Sequence, residues 1–166
     1  FSGTGFDDAK KRSGIFQIQG EGKAWSEGVD SENGNYDFLL CNDIDLDHPE
    51  VIAELNRWGK WVSKELNLDG MRLDAIKHMK DKFIAQFLDA VRSERGNNFY
   101  AVGEYWNGDL KTLDAYIESV AHKVNLFDVP LHYNMIQASQ EGKNYDLQNI
   151  LKGTLAEHHC DLAVTF

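Results

Sequence analysis

Two carboxylates stand at the ends of short apolar segments and have the types and spacing of a glycosidase acid pair. Residues 70–75 include Asp74, and residues 101–104 end in Glu104. If both segments are neighbouring parallel strands, their carboxyl ends meet at one edge of the sheet. Carboxylates about 5 Å apart let a retaining glycosidase use one acid as nucleophile and the other as proton donor. The pattern therefore predicts that chemistry.

The residues beside these acids indicate which acid is the nucleophile and which is the proton donor. Arg72 is two residues from Asp74, on the same side of a strand, and would favour the ionised carboxylate that a nucleophile needs. Glu104, beside Tyr105 and Trp106, is expected to be desolvated and protonated. The aromatic rings also suit the apolar faces of a sugar. A structural ion pair at Arg72 and Asp74, and core packing of Trp106, are the alternatives.

An acidic segment precedes the first clear helix. Asp43, Asp45 and Asp47 alternate along it, and Asp37 lies six residues before Asp43. Like charges on one face repel, and a hard cation such as Ca²⁺ would relieve the repulsion. The spacing does not fit an EF-hand loop. The alternative is a solvated acidic turn in which Asp47 caps the helix.

Three other groups are interpreted structurally. Asp128 directly precedes a helix and is expected to cap it or to form part of the sheet edge. Residues 158–160, His-His-Cys, are expected to form a surface loop, since adjacent side chains diverge and no second ligand group is nearby in sequence. The glycines of residues 14–28 match neither a dinucleotide fingerprint nor a phosphate loop.

The elements that must position these residues follow from hydrophobic periodicity. Residues 1–42 predict irregular structure with short strands, and apolar positions from Val51 to Leu66 predict an amphipathic helix over 49–67. Strands and helices then alternate, which favours a parallel sheet in a barrel or a doubly wound fold. The predicted strands are 68–75, 98–103, 124–129 and 162–166. The predicted helices are 80–95 and 110–120, and helical pieces are predicted over 132–151.

The composition of the chain limits the kinds of partner that it is expected to bind. The chain has 17 basic and 27 acidic residues and a net charge of −10, which disfavours nucleic acid. No apolar run approaches the ~20 residues of a membrane span. Cys41 and Cys160 fit no zinc, redox or disulfide framework. Because Phe1 is not a start methionine, we expect the natural amino terminus to be missing, and the compartment is left open between secreted and cytoplasmic.

At these motifs the sequence resembles the α-amylase family of glycoside hydrolases, in its bacterial liquefying-type branch. Residues 70–78 look like the family's nucleophile segment and residues 102–106 like its acid/base segment. The resemblance implies an α/β fold, a partial (β/α)8 TIM barrel comprising about its fourth to seventh strands. Residues 1–42 would be the end of an inserted, irregular domain B with calcium-site residues, and residues 43–166 the central part of the catalytic barrel.

The resemblance also assigns roles. Asp74 would form the glycosyl-enzyme intermediate, Glu104 would protonate the leaving oxygen and then act as base, and Arg72 would orient the nucleophile. Lys77 and His78 match positions that contact the sugar.

For the metal, Asp37 and Asp43 match carboxylate ligands of a calcium ion that also takes the backbone carbonyl of His78. The resemblance therefore favours a calcium site over a solvated acidic turn as the interpretation of this acidic segment. Relatives with more metal ions use the positions of Ala24, Asp45 and Asp47 together with an aspartate where this chain has Ser26. One negative charge of that ligand group is thus lost, which works against the extra ions.

The implied activity is endo-hydrolysis of α-1,4-glucosidic bonds in starch and related α-glucans by a retaining mechanism, carried out by a monomer. A transglycosylase or maltooligosaccharide-forming enzyme is the alternative within the same chemistry, and a non-catalytic glucan-binding or assembly relative is the alternative from another class. The family's third catalytic aspartate would lie beyond Phe166. The chain by itself is therefore expected to be inactive.

Overall fold

The described part of the chain forms two small sheets. The structure is a computed structural model that describes residues 3–7, 13–21, 23–24, 29 and 42–166. In the first sheet, strand β1 (Gly3–Asp7) pairs antiparallel with β2 (Ser13–Gln17) and with β3 (Asn42–Asp43). Through β3, the backbone of Asp43 is joined to the amino-terminal sheet.

The second sheet has four parallel strands in sequential order. They are β4 (Gly70–Leu73), β5 (Tyr100–Gly103), β6 (Asn125–Phe127) and β7 (Ala163–Val164). Every neighbouring pair is parallel. A sequential order without reversal is that of a barrel wall, whereas a doubly wound sheet reverses at a switch point. The expected partial barrel is thereby confirmed for the described residues.

Helices precede and connect the strands. They are α1 (Pro49–Glu65), α2 (Asp81–Arg95), α3 (Leu110–Ser119), α4 (Val129–Glu141) and the short α5 (Leu155–His158). The helical pieces predicted over 132–151 are confirmed, but the first begins earlier than predicted, at Val129, and ends before Gly142, whose φ of 55° suits glycine and interrupts helical geometry. Two 3₁₀ turns, Gly142–Asn144 and Leu147–Asn149, follow it.

Helix α1 packs Val51, Ile52 and Leu55 against the core, but not all of its large apolar residues are covered. Gly59 and Ser63 are buried, whereas Trp58 is 47% exposed and Leu66 is 64% exposed. A Cβ atom at Gly59 would lie 2.4 Å from the ring of Phe87. The close packing of α1 on α2 therefore depends on a glycine, a residue that hydrophobic periodicity does not count.

The core lies among the sheet and its helices. Ile76, Leu88, Leu113, Ile117 and Leu126 are 0% exposed. Each such side chain contributes about 1.5–3 kcal/mol by its removal from water. Within the described residues, no helix is both long and apolar enough to cross a membrane.

Candidate active site

Backbone hydrogen bonds fix the carboxyl ends of β4 and β5 to each other. The Glu104 amide donates to the Leu73 carbonyl at 2.8 Å, and the Ile76 amide donates to the Glu104 carbonyl at 3.0 Å. The register pairs Leu73 with Gly103, so Asp74 and Glu104 follow two paired positions. The strand ends thus hold both acids at one edge of the sheet.

Arg72 connects the two carboxylates. Its Nη2 lies 2.7 Å from Asp74 Oδ1, and the same nitrogen contacts Glu104 Oε2. The sequence paired Arg72 with Asp74 alone, so the contact with Glu104 is an addition from the structure. Glu104 is the more sheltered acid, since its side chain is 26% exposed and that of Asp74 is 73% exposed. Glu104 is thus partly shielded from water, and the Arg72 guanidinium beside it was not expected from the sequence.

A strained turn follows Asp74. Ala75 has a φ of 50°, a left-handed conformation that costs a non-glycine residue energy, and it leads into the 3₁₀ turn Ile76–His78. Ile76 is fully buried and anchors this turn. A Cβ atom at Gly103 would lie 2.3 Å from Ile76 Cδ1. The absence of a side chain at Gly103 therefore lets the turn sit against β5.

The two predicted sugar-contacting positions are on this turn. The Lys77 ammonium donates to the Trp106 carbonyl at 3.1 Å, so the turn after β4 is joined to the segment after β5. His78 ends the turn, and its amide donates to the Ala75 carbonyl at 3.0 Å. Both positions thus lie at the same edge as the carboxylates.

Trp106 belongs to an aromatic group at this edge rather than to the core. Its ring is 37% exposed, and its Nε1 donates to the Tyr133 hydroxyl at 3.2 Å. Ring centroids lie 5.4 Å from His132 and 5.5 Å from Phe166. The sequence predicted Trp106 but missed the other three residues, because they come from α4 and from the end of the chain.

The acidic segment before α1 is only partly described. Asp45 is 7% exposed and accepts from the Asp47 amide at 3.0 Å, while Asp47 forms an ion pair with Lys80. The alternative that Asp47 caps α1 is wrong, because His48 occupies the N-cap position, without a capping hydrogen bond from its side chain, and the Asp47 carboxylate pairs with Lys80. Ala24 is exposed.

The metal prediction rests mainly on residues outside the described part of the chain. Asp37 and Ser26 are not among the described residues, and Asp43 is described by its backbone alone. Within the ranges that the structure does describe, no three His, Cys, Asp or Glu side chains are grouped to hold a metal. Lys80 neutralises Asp47, which works against a second ion at that carboxylate. The calcium ion with Asp37, Asp43 and the His78 carbonyl stays a prediction.

Asp128 is a structural residue, as expected. It is 1% exposed and accepts from the Leu131 amide at 3.0 Å, which caps α4. It also accepts from the amides of Leu155 at 3.2 Å and Ala156 at 2.8 Å. One carboxylate therefore holds the start of α4 against the start of α5, and these bonds to α5 could not be read from the sequence.

The histidine pair near the end of the chain has a partner that the sequence did not show. His159 Nε2 lies 3.2 Å from Asp114 Oδ1, and His158 Nδ1 lies 3.6 Å from Asp114 Oδ2. The His158 side chain is 51% exposed and Cys160 is exposed, in keeping with a surface position. The sequence showed no second ligand group nearby, whereas the fold places Asp114 of α3, far away in sequence, beside both histidines.

The fold and site together define a class: a parallel α/β barrel wall with an acidic pair at the carboxyl ends of adjacent strands. No family model matches the chain. It is 46% identical over 167 residues to a glucan 1,4-alpha-maltohexaosidase of Bacillus sp. (strain 707), covering 100% of this chain and 32% of that protein. It is 45% identical over 166 residues to an alpha-amylase of Geobacillus stearothermophilus, covering 100% of this chain and 30% of that protein.

The fold of the chain is also similar to a solved alpha-amylase structure. The crystal structure of an Anoxybacillus alpha-amylase matches with a TM-score of 0.58 at 28% identity, over 71% of this chain and 26% of that one. The chain thus belongs to the α-amylase family of glycoside hydrolases. It spans only about a third of the length of these two sequence relatives, 32% and 30%.

Proposed function

We propose that this chain is the central part of the catalytic barrel of an enzyme that hydrolyses α-1,4-glucosidic bonds inside starch-like polysaccharides, with retention of configuration. The observation that carries the proposal is the contact of Asp74 and Glu104 with one guanidinium at the carboxyl ends of adjacent parallel strands. Active sites of such barrels are built at that face. The relatives named as glucan-acting enzymes supply the substrate class.

The spacing of the acids supports the retaining mechanism. Since an oxygen of Asp74 and an oxygen of Glu104 both contact Arg72 Nη2, the oxygens are separated by at most two hydrogen-bond lengths, roughly 6 Å. Retaining glycosidases keep their carboxyl groups ~5–5.5 Å apart, whereas inverting ones need ~6.5–9.5 Å to admit a water. This upper bound lies below the range of inverting enzymes, which supports the retaining mechanism.

The chemistry divides between the acids in the following way. Asp74, the more exposed of the two, attacks the anomeric carbon and forms the covalent intermediate. Glu104 gives a proton to the leaving oxygen and afterwards takes one from the attacking water. Arg72 holds both side chains in position before the substrate arrives. Trp106, partly exposed beside Glu104, offers a ring face to the sugar.

The outer strands support a longer barrel. In the described part of the chain, β4 pairs only with β5 and β7 only with β6, so each has an unpaired edge. Open parallel edges are unfavourable and invite aggregation, and further strands would close them. We therefore infer that activity requires the complete protein, and that residues 1–166 alone do not hydrolyse starch.

Replacement of each acid by its amide tests the assigned roles. In the complete protein, Asp74→Asn and Glu104→Gln should each lower kcat on soluble starch by several orders of magnitude, while starch binding by pull-down is retained. Asp89→Asn is a matched control, since this surface carboxylate pairs with Lys123 away from the site. Near-wild-type kcat in either amide variant would overturn the assignment. Starch binding without hydrolysis by the wild-type protein would favour the non-catalytic alternative.

A maltooligosaccharide-forming enzyme is a second candidate, because a maltohexaosidase and an alpha-amylase are almost equally similar to the chain, at 46% and 45% identity. Both use the same acid pair, so the products decide. Chromatography of early digests should show a broad range of oligosaccharides from an endo-acting amylase and one dominant length from the alternative. Transfer products without a rise in reducing ends would instead indicate a transglycosylase.

A further inference from the structure

Tyr133 of helix α4 contacts the loop that follows Glu104 at two points. Its hydroxyl accepts a hydrogen bond from Trp106 Nε1 at 3.2 Å. Its ring lies against Gly108, where an added Cβ atom would be 3.0 Å from the ring atoms Cδ2 and Cε2. One side chain of α4 therefore touches both the indole of Trp106 and the backbone two residues further along the loop.

The end of α4 that carries Tyr133 is firmly anchored. The buried Asp128 carboxylate accepts from the Leu131 amide in the first turn of α4 and from two amides at the start of α5. Val129 and Leu131 are buried, whereas Tyr133, on the next turn, is exposed. Side chains on anchored helices place functional groups more precisely than side chains on loops do. Tyr133 is thus suited to position a group that lies outside the core.

The backbone and the indole of Trp106 are held by different residues. The Trp106 carbonyl accepts from the Lys77 ammonium at 3.1 Å, and the indole ring contacts His132 and Phe166. The torsion that turns an aromatic ring about its bond to Cβ has two broad minima, so packing alone does not determine which edge faces α4. Because the indole has one hydrogen-bond donor, its bond to the Tyr133 hydroxyl selects one of these orientations.

We propose that Tyr133 is a positioning residue for substrate binding, which holds the Trp106 indole in the orientation that receives the sugar. The inference rests on the proposed function, which assigns Trp106 to the substrate. A ring that is already oriented loses less freedom when the sugar binds, so the hydrogen bond increases substrate affinity. Since Tyr133 is exposed and its ring contacts Gly108 without help from the hydroxyl, loss of the hydroxyl leaves the fold intact.

Binding of maltohexaose to the complete protein tests this role. In an Asp74→Asn background, which prevents turnover, Tyr133→Phe removes the acceptor oxygen and keeps the ring. Calorimetry should find that the affinity for maltohexaose falls about 2- to 10-fold, the effect of losing one neutral hydrogen bond. With Asp74 intact, Tyr133→Phe should raise KM on soluble starch by a similar factor and leave kcat and the melting temperature almost unchanged.

A double-mutant cycle with Trp106→Phe separates positioning from direct contact with the sugar. Trp106→Phe removes the N–H donor, so Tyr133→Phe should cause no further loss of maltohexaose affinity in that background. Tyr100→Phe is the matched control, because Tyr100 is an exposed tyrosine at the amino end of β5, away from the site. It should leave maltohexaose affinity unchanged.

Two results would overturn the positioning role of Tyr133. One is an unchanged maltohexaose affinity in Tyr133→Phe, and the other is an equal loss of affinity with and without the Trp106 indole. Starch hydrolysis by the wild-type protein together with either result would refute the positioning role alone. The expected dependence of Tyr133 on Trp106 in a wild-type protein that does not hydrolyse starch would refute the catalytic proposal instead.

Discussion

Gly103 packs directly against Ile76. We therefore predict that a methyl group added by Gly103→Ala disturbs the edge of the sheet that carries Asp74 and Glu104. The Cβ of an alanine at Gly103 would lie 2.3 Å from Ile76 Cδ1 and 3.3 Å from Val124 Cγ2. Gly103 does not have a positive φ, so alanine can adopt its backbone conformation and the substitution tests the contact alone. Ile76 is fully buried on the turn that follows Asp74, so its side chain has little space to move away from the new methyl group.

The size of the effect of Gly103→Ala follows from the cost of overpacking a core. Forcing a methyl group into a filled core costs about 1–3 kcal/mol. Restricting the unfolded chain by Gly→Ala returns ~0.4–1 kcal/mol. We therefore expect Gly103→Ala to destabilise the complete protein by about 1–2 kcal/mol. Catalysis should suffer more, because a displacement of about 1 Å in a positioned group can lower the rate 100-fold. We expect kcat on starch to fall ~10- to 100-fold.

A double-mutant cycle isolates the contact. Ile76→Val removes Cδ1, the atom nearest to the new methyl group, and alone should cost about 0.5–1.5 kcal/mol. Combined with Gly103→Ala it should restore part of both the unfolding free energy and kcat. Gly59→Ala is the matched control, since its Cβ would lie 2.4 Å from Phe87 between α1 and α2, away from the site. It should lower stability and spare kcat. Additive effects in the cycle would refute the reasoning.

Three further predictions concern the site and its surroundings. Arg72→Lys should lower kcat at least tenfold with little change in unfolding free energy, because one ammonium cannot replace a guanidinium that contacts two acids; a stability loss with normal kcat would contradict this. The Thr112 hydroxyl, which hydrogen-bonds to Asp109, lowers the pKa of that carboxyl. A lowered folded pKa gives stability that is present above the unfolded value near 3.8 and lost as pH falls through the folded value. Asp109→Ala should therefore destabilise more at pH 7 than at pH 3, and an equal cost at both would refute the cause. Chelation of calcium should lower the melting temperature of the complete protein, and an unchanged temperature would argue against the ion.

The sequence predicts what depends on nearby residues. The alternation of apolar strands and amphipathic helices placed Asp74 and Glu104 at strand ends, and the position of Asp128 before α4 identified a cap. Element ends were less accurate, because the outer residues of predicted strands such as 68–75 form connections instead. Gly59 was missed as a packing residue because its contribution is the space that it leaves for Phe87.

Contacts between distant residues were the part that the sequence could not supply. Arg72 reaches Glu104 because the register places Arg72 beside Val102, and register is a property of the folded sheet. Lys80 pairs with Asp47 across a separation of 33 residues. The bonds from Asp128 to α5 likewise join residues 27 and 28 positions apart. Patterns within one element carry no information about such pairs.

The exposure of Arg72 and its two acids bears on whether these ion pairs stabilise the fold or serve catalysis. The side chain of Arg72 is 50% exposed and that of Asp74 is 73% exposed. Ion pairs this open to water contribute about 0–1 kcal/mol, so the contact with Asp74 stabilises the described fold little. The second acid adds repulsion, because Glu104 and Asp74 carry two negative charges around one guanidinium. A structural role needs only one ion pair with Arg72, whereas acid–base chemistry needs both carboxylates close together. The arrangement is thus better explained by catalysis than by stability, which is why Arg72→Lys should affect kcat and leave the unfolding free energy almost unchanged.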